Sequence, residues 1–324
     1  MLAKKIILGA VLSFLVIAGS WYYHNQTAKN IVSGVVADPL GSLKSEGGRT
    51  NVLLLGIGGQ GHEGGDLTDS ILVVSFNLSG NTATMIPIPR DIWIPSMKAK
   101  INTAYHYGND RRADGGLDLA KSGVSEILDI PIHYALTLDF QGFVKAIDAV
   151  GGVDVNVERS FDDFKYPIPG KETSQPESSR YEHLHFDSGM THMDGTTALK
   201  FARSRHAEGD EGTDFARGSR QQKIILAFKD KLFSTGTIFG TNVITKLKES
   251  VSSSIDTDIT SREYGGFFKV FLGLGSKDNI ASLSLAEKLT SPKSTKEYLG
   301  QWVLVPTGSW EEIHAYVAQE LSTP

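Results

Sequence analysis

Three apolar runs, at residues 51–57, 70–77 and 82–88, constrain this chain more than any other feature. The first ends in glycines, and a short Val/Leu/Ile run bounded by glycine reads as a buried strand. The other two are separated by Leu78-Ser79-Gly80-Asn81, a good hairpin turn. Strand-like and helical segments then alternate. Residues 117–128 have helical spacing, 132–138 read as a strand, 140–150 as a helix stopped by Gly151-Gly152, and 153–157 alternate like a strand. Residues 158–190 are polar and carry prolines, which predicts a long surface excursion. Asp194 is placed to cap a helix running to about Ala202, and another helix is expected from Thr213 or Asp214 to about Phe233. Helical segments near 239–250 and 261–273, short strands near 280–285 and 301–305, and a last helix over 309–321 complete the pattern. Such interleaving predicts an α/β fold, a single domain whose central mixed β-sheet is mostly buried between helices.

Composition narrows the class. A chain of 324 residues that is 40% hydrophobic and 21% charged is a folded globular protein with room for a sizeable core. It contains no cysteine, which excludes disulfides, thiolate metal sites, a cysteine nucleophile and a lipidated cysteine. At the amino terminus Lys4-Lys5 precede an uncharged stretch, residues 6–23, that ends in Trp21-Tyr22-Tyr23. That length just crosses the hydrocarbon core as a helix, and the aromatic trio suits the membrane interface. The rival is a signal peptide cleaved near Ala18-Gly19-Ser20, but aromatics just beyond the small residues disfavour cleavage. Both readings put the rest of the chain outside the cytoplasm, because the lysines stay inside. The expected organisation is a cytoplasmic tail at 1–5, a transmembrane helix at 6–23, a stalk at 24–50 and an extracytoplasmic α/β domain at 51–324.

Arginine carries the functional signal. Arg203, Arg205, Arg217 and Arg220 fall within eighteen positions of a chain whose net charge is −5. Such a cluster is not spill-over from a basic composition, so diffuse nucleic-acid binding is not expected. Guanidinium forks hold phosphate oxygens two at a time, which points to a phosphate-bearing ligand at a defined place. Arg217 and Gln221 are four apart and share a helix face, with Arg220 beside it. They stand in the first turns, where the helix dipole favours an anion. The bland alternative is a solvated helical hairpin in which these arginines pair with Glu208, Asp210 and Glu211.

Gly56-Ile57-Gly58-Gly59-Gln60-Gly61 matches the dinucleotide-binding pattern literally. That fingerprint works only where the loop opens a helix, and here a second strand follows with no room for one. Asp69 sits between this loop and the second strand, where a carboxylate binds metal or caps a turn. Arg90 and Asp91 end the third strand, so Asp69 and Asp91 are expected near one place unless Arg90 and Asp91 simply pair at the surface. Lys98 and Lys100 follow, and Lys100-Ile101-Asn102 returns toward the same rim.

These motifs, in this order, resemble the LytR-CpsA-Psr family of cell-envelope phosphotransferases. The resemblance runs through Leu53-Leu54-Leu55-Gly56, Thr68-Asp69-Ser70, Ile88-Pro89-Arg90-Asp91, Lys100-Ile101-Asn102 with Ala104-Tyr105, and Val150-Gly151-Gly152-Val153-Asp154-Val155. It continues in Asp194-Gly195 with Ala198-Leu199, Arg203 and Arg205, and Asp214, Arg217, Arg220 and Gln221. It implies transfer of a glycopolymer from a polyprenyl-pyrophosphate carrier to a peptidoglycan sugar hydroxyl. Arg90, Lys100, Arg203, Arg205, Arg217 and Gln221 would contact the pyrophosphate, Asp69 would help hold Mg²⁺, and Asp91 would orient the arginines or accept a proton. The catalytic set so implied is Asp69, Arg90 and Asp91. Two positions depart from the family's pattern: Gly58 stands where an Asp is usual, and Leu67 where an Arg is usual. His62, Glu63 and Asp66 are the candidate replacements for the missing metal ligand.

Overall fold

The computed structural model describes residues 40–59, 64–168, 170–171, 173–212, 216, 220, 223–224, 227–228, 230–231, 254–260, 262–274 and 279–322. The expected anchor at 6–23 and the helix at 239–250 lie outside these residues. Among the described residues no helix is long and apolar enough to cross a membrane.

The elements in chain order are strands β1 (Arg49–Ile57), β2 (Thr68–Asn77), β3 (Thr82–Ile88), β4 (Trp93–Ile94) and β5 (Ala99–Lys100), then helices α1 (Ala104–Arg111) and α2 (Gly116–Leu128). Next come β6 (Tyr134–Asp139), α3 (Phe140–Ala149), β7 (Val153–Val157), β8 (Phe161–Pro167), β9 (Tyr181–Phe186), β10 (Gly189–Met193) and α4 (Gly195–Arg203). The chain closes with β11 (Ile255–Thr257), α5 (Tyr264–Gly273), β12 (Ile280–Ser282) and α6 (Trp310–Ser322). The described residues fall into two compact units that interleave in sequence. One, the sheet unit, takes in the described chain up to Ile57, then Asp66–Thr137 and the chain from Asp256 onward. The other, the arginine unit, takes in Gly58–Gly65 and Leu138–Ile255.

The sheet unit is built on a mixed six-stranded sheet of order β11-β6-β1-β2-β3-β12. β1, β2 and β3 form an antiparallel meander, while β12 pairs with β3 in parallel. Both faces are covered, which is why β1 reads as a continuous apolar run instead of an alternating one. Leu53, Leu55, Ile71, Val73, Ile86 and Ile88 pack on one side with Val124 and Ile127 of α2 and with Ile313 and Val317 of α6. On the other side Phe76 meets Phe267 of α5 edge-on at 6.5 Å, and Tyr134 meets it at 5.2 Å. Each such fully buried side chain contributes roughly 1.5–3 kcal/mol of transfer free energy. The expected hairpin turn joins β2 to β3. Asn77 Oδ1 accepts from Ser79 N and Gly80 N, and Asn81 closes the turn at φ 50°. α2 buries Leu117, Ala120, Val124, Ile127 and Leu128, a helical stripe, and stops where Asp129 adopts the left-handed conformation at φ 51°.

In the arginine unit Asp139 caps α3 and Asp194 caps α4, each accepting a backbone N–H three residues on, from Gly142 at 2.6 Å and Thr197 at 2.7 Å. The stretch 158–190 corrects the sequence reading. It is not an irregular excursion but chiefly the β8–β9 antiparallel hairpin, and β10 begins at Gly189 and pairs with β7. Its inward residues Phe161, Tyr166, Leu184 and Phe186 are buried, while Asp162, Lys165, His183 and His185 are among those facing outward, so composition alone suggested a loop. α1, β4 and β5 are further elements absent from the sequence reading. Among the described residues β2 is the next element after β1, with Gly59 at φ 79° and its backbone against Asp139. This agrees with rejecting the dinucleotide motif.

Candidate functional site

In the sheet unit, sequence-distant charges meet through strand register. The β2–β3 ladder pairs Ile71 with Ile88, and its continuation sets Asp69 opposite Arg90. On its other edge β2 carries a bulge: Gly56 pairs with Ser70 and Ile57 with Thr68, so Asp69 is the extra residue. A bulge frees its side chain from the pleat and re-aims it. Arg90 Nη1 donates to Asp69 Oδ1, and Arg90 Nε lies 3.6 Å from Asp91 Oδ2. Lys100 enters through the short β4–β5 ladder, which pairs Trp93 with Lys100 and makes Asp91 its diagonal neighbour. Lys100 Nζ donates to Asp91 Oδ1 at 2.7 Å. The segment is anchored by Asn102 N donating to Arg90 O at 3.2 Å and by Thr68 Oγ1 donating to Asn102 O at 3.2 Å.

The result is an alternating chain, Asp69–Arg90–Asp91–Lys100. Its outer end is about half exposed, with Asp69 at 52% and Arg90 at 47%, while Asp91 and Lys100 are 21% exposed. Burial works against the Arg90 charge, but the Asp69 and Asp91 carboxylates outweigh it and raise the guanidinium above its ordinary value. Arg90 and Asp91 therefore do pair, and Asp69 joins them. The arrangement holds one forked and one point-like cation at a solvent-facing rim, which suits an incoming phosphate.

Asp66 is placed differently. Its Oδ2 is 2.6 Å from His106 Nδ1, and His106 Nε2 is 3.3 Å from Asp110 Oδ2. His106 lies one helical turn past the site segment and was not among the sequence candidates. The Asp66 hydrogen bond, and then the charges of Asp66 and Asp110, raise its pKa despite some burial. Its protonated form is therefore favoured by folding. That contribution is complete below the unfolded value, about 6.5, and fades as pH rises through the folded one. In an NMR titration the His106 ring is expected to titrate above its ordinary value, and Asp66→Asn to bring it back. Titration at or below the ordinary value would refute the pairing.

His62 and Glu63 lie outside the described residues. Among the described residues no three His, Asp or Glu side chains gather in a way that holds a metal ion. What the rim offers Mg²⁺ is one half-exposed carboxylate, Asp69, and the buried Asn102 Oδ1, which has no hydrogen-bond partner. Mg²⁺ is commonly bound by one or two carboxylates together with substrate phosphates. These residues fit a metal that arrives with a phosphate and do not fit a cage made by protein alone.

In the arginine unit, Arg203 ends α4 and Arg205 follows Ser204 in extended backbone (Ser204 φ −52°, ψ 129°). Arg203 lies over the Phe140 ring at 4.1 Å and the Tyr166 ring at 5.8 Å, with Nη1 3.5 Å from Tyr166 Oη. The Arg205 side chain is exposed. Neither has a carboxylate partner among the described residues, so the expected pairing with Glu208, Asp210 and Glu211 does not occupy them. Arg220 behaves otherwise. It is 2% exposed, and it bonds the carbonyls of Phe201, Ser204 and Glu211 and the Glu211 carboxylate. Arg220 is thus no member of an exposed anion cluster. Arg217 and Gln221 lie outside the described residues.

The sequence profile of the LytR_cpsA_psr family matches residues 20–311. Among curated proteins, the chain is 33% identical over 224 residues to the Bacillus subtilis polyisoprenyl-teichoic acid–peptidoglycan teichoic acid transferase TagV, a match covering 67% of this chain and 51% of that protein. It is 31% identical over 214 residues to the Bacillus cereus protein of the same description, TagU, covering 64% of this chain and 61% of TagU. The chain therefore spans about half to three fifths of these relatives' length. Among solved structures it is similar to crystalline B. subtilis TagV, with a TM-score of 0.56 and 27% identity over 86% of this chain and 100% of the other.

Proposed function

The chain belongs to the LytR_cpsA_psr family, and on that premise we propose that it is a phosphotransferase. Its reaction moves a teichoic-acid-class glycopolymer from a polyprenyl-diphosphate carrier to a sugar hydroxyl of peptidoglycan and releases polyprenyl phosphate. The polymer class and acceptor are those in the names of its relatives. The observation that carries the reading is the Asp69–Arg90–Asp91–Lys100 chain, which holds a forked and a point-like cation together at a solvent-facing rim, as a diphosphate ligand requires.

The acceptor oxygen bonds to the phosphorus that bears the glycan, the bridging P–O bond breaks, and its electron pair leaves with polyprenyl phosphate. The acceptor hydroxyl's proton passes in the same exchange to the departing phosphate oxygen, directly or through water. Little covalent work falls to the protein, so positioning and charge neutralisation dominate. Arg90 and Lys100 neutralise the diphosphate oxygens. Asp91, between those two cations, holds them in place, which supports its orienting role over that of proton acceptor. Arg203, Arg205, Arg217 and Gln221 are further diphosphate contacts in this proposal. Mg²⁺, held by Asp69 and the substrate's own oxygens, would add charge neutralisation when bound. The protein would be anchored by the 6–23 segment, with its α/β part outside the cytoplasm beside the lipid carrier.

The test uses the full chain in detergent with a polyprenyl-diphosphate-linked glycan, peptidoglycan oligomers and Mg²⁺. Polyprenyl phosphate is expected only when donor, acceptor and metal are all present. Donor binding without release would mark a binding module instead, and release without acceptor would mark a lipid-diphosphate hydrolase.

A further inference from the structure

One turn of the arginine unit receives two buried charges of opposite sign. Asp163, on the inward face of β8, has no exposed surface. Its Oδ2 accepts from Ser204 Oγ at 2.7 Å and from the backbone N–H groups of Arg205 and His206, both at 3.2 Å. Its Oδ1 accepts from Lys165 N at 2.9 Å. Burial pushes the carboxyl upward, yet the Ser204 hydroxyl and these N–H groups win and hold it below the usual carboxylate value. Arg220 reaches the same turn with its guanidinium. Nε donates to Phe201 O at 3.1 Å and Nη2 to Ser204 O at 2.6 Å, with its charge over the Phe161 ring at 4.7 Å. Those carbonyls lie at the carboxyl end of α4, where orphan acceptors and the helix dipole both favour a cation.

Burying a carboxylate and a guanidinium is costly, and hydrophobic residues of similar volume often stabilise a fold equally well. Here the bonds they make converge on residues 201–206. Asp163 grips the backbone at Arg205 and Arg220 grips the carbonyls on both sides of Arg203. We propose that Asp163 and Arg220 form a clamp that positions Arg203 and Arg205 on the diphosphate. This rests on the diphosphate reading above and extends it to two residues that never touch substrate. Asp163 takes the donors and Arg220 the acceptors of one turn, so its backbone has a single way to satisfy both. Arg203 is thereby delivered onto Phe140 and Tyr166, and Arg205 into solvent.

The probe is farnesyl diphosphate, titrated into the full chain by calorimetry, with near-ultraviolet circular dichroism to confirm folding. Asp163→Asn and Arg220→Lys are each expected to weaken binding about tenfold, the effect of losing one charge-assisted hydrogen bond. A positioning role has a further signature. In an Arg203→Ala/Arg205→Ala background the same substitutions are expected to change nothing more, because the groups they act through are gone. Equal weakening in both backgrounds, or wild-type affinity in Asp163→Asn and Arg220→Lys, overturns the clamp while leaving the diphosphate reading intact. Wild-type affinity in Arg203→Ala/Arg205→Ala itself overturns the diphosphate contacts of this turn, and the clamp with them. Should the clamp variants not fold, Ser204→Ala removes only the hydroxyl donor to Asp163. It is expected to weaken binding about threefold, a partial loss of one hydrogen bond, and wild-type affinity there also sinks the proposal.

Discussion

Arg90→Ala is expected to lower the rate of polymer transfer ~10²- to 10³-fold, the range seen when one preorganised donor to a developing oxyanion is removed. Two effects add. The forked donor for the diphosphate disappears, and Asp69 and Asp91 lose the cation that lies between them. An incoming anion would then face two carboxylates at this rim, with Lys100 as the one cation left in the Asp69–Arg90–Asp91–Lys100 chain. Arg90→Lys keeps the charge but not the fork, so it is expected to recover only part of the loss. Stability is expected to change by less than about 1 kcal/mol, because Arg90 is 47% exposed and exposed ion pairs contribute little. The check is initial rate of polyprenyl phosphate release alongside a thermal melt. Wild-type turnover in a folded Arg90→Ala protein would remove this rim from the reaction.

Phe267→Ala is expected to have the largest effect on stability, a loss of about 3–5 kcal/mol. Phe267 has no exposed surface and lies edge-on to both Phe76 and Tyr134, so it joins α5 to the face of the sheet opposite α2 and α6. Truncation leaves a cavity that the strands cannot close without breaking their ladder. Urea denaturation followed by tryptophan fluorescence is the apt measurement, since the described tryptophans, Trp93, Trp302 and Trp310, all belong to the sheet unit. A shift corresponding to less than about 1 kcal/mol, the ordinary effect of a point substitution, would show that α5 does not hold the sheet as its packing implies. Phe267→Leu, which fills most of the space, is expected to lose less than half as much.

Where local physics and burial agreed, the elements were legible in advance. Residues 51–57, 70–77 and 82–88 are strands as expected, residues 78–81 make the hairpin turn, and Asp194 makes the helix cap its chemistry suggests. The helical stripe of α2 and the alternation of β7 were equally plain. The β8–β9 hairpin was not, because a two-stranded outer layer buries one face only and fills the other with Asp162, His183 and His185. Two-residue strands such as β4 and β5 are too short to leave any period, although they deliver Lys100 to Asp91. Of the site, Asp69, Arg90, Asp91 and Lys100 were named from motif order and do meet. Arg220, one of the four clustered arginines, is instead buried among carbonyls, while Asp163 lies within a polar stretch that gives no local signal of burial.

By itself, the amino-acid order determined the α/β class, the β2–β3 hairpin and the family, because hydrophobic period, turn chemistry and motif order are all local properties of the chain. Tertiary structure alone decided which charges stand at a solvent-facing rim and which bond the protein's own backbone. A bulge at Asp69 turns one carboxylate outward, and strand pairing sets Arg90 and Lys100 around Asp91. The folding of β8 under the end of α4 buries Asp163 beneath Arg205. Arginine looks the same in a sequence whether it faces water or a helix end, and only the burial of its neighbours distinguishes the two.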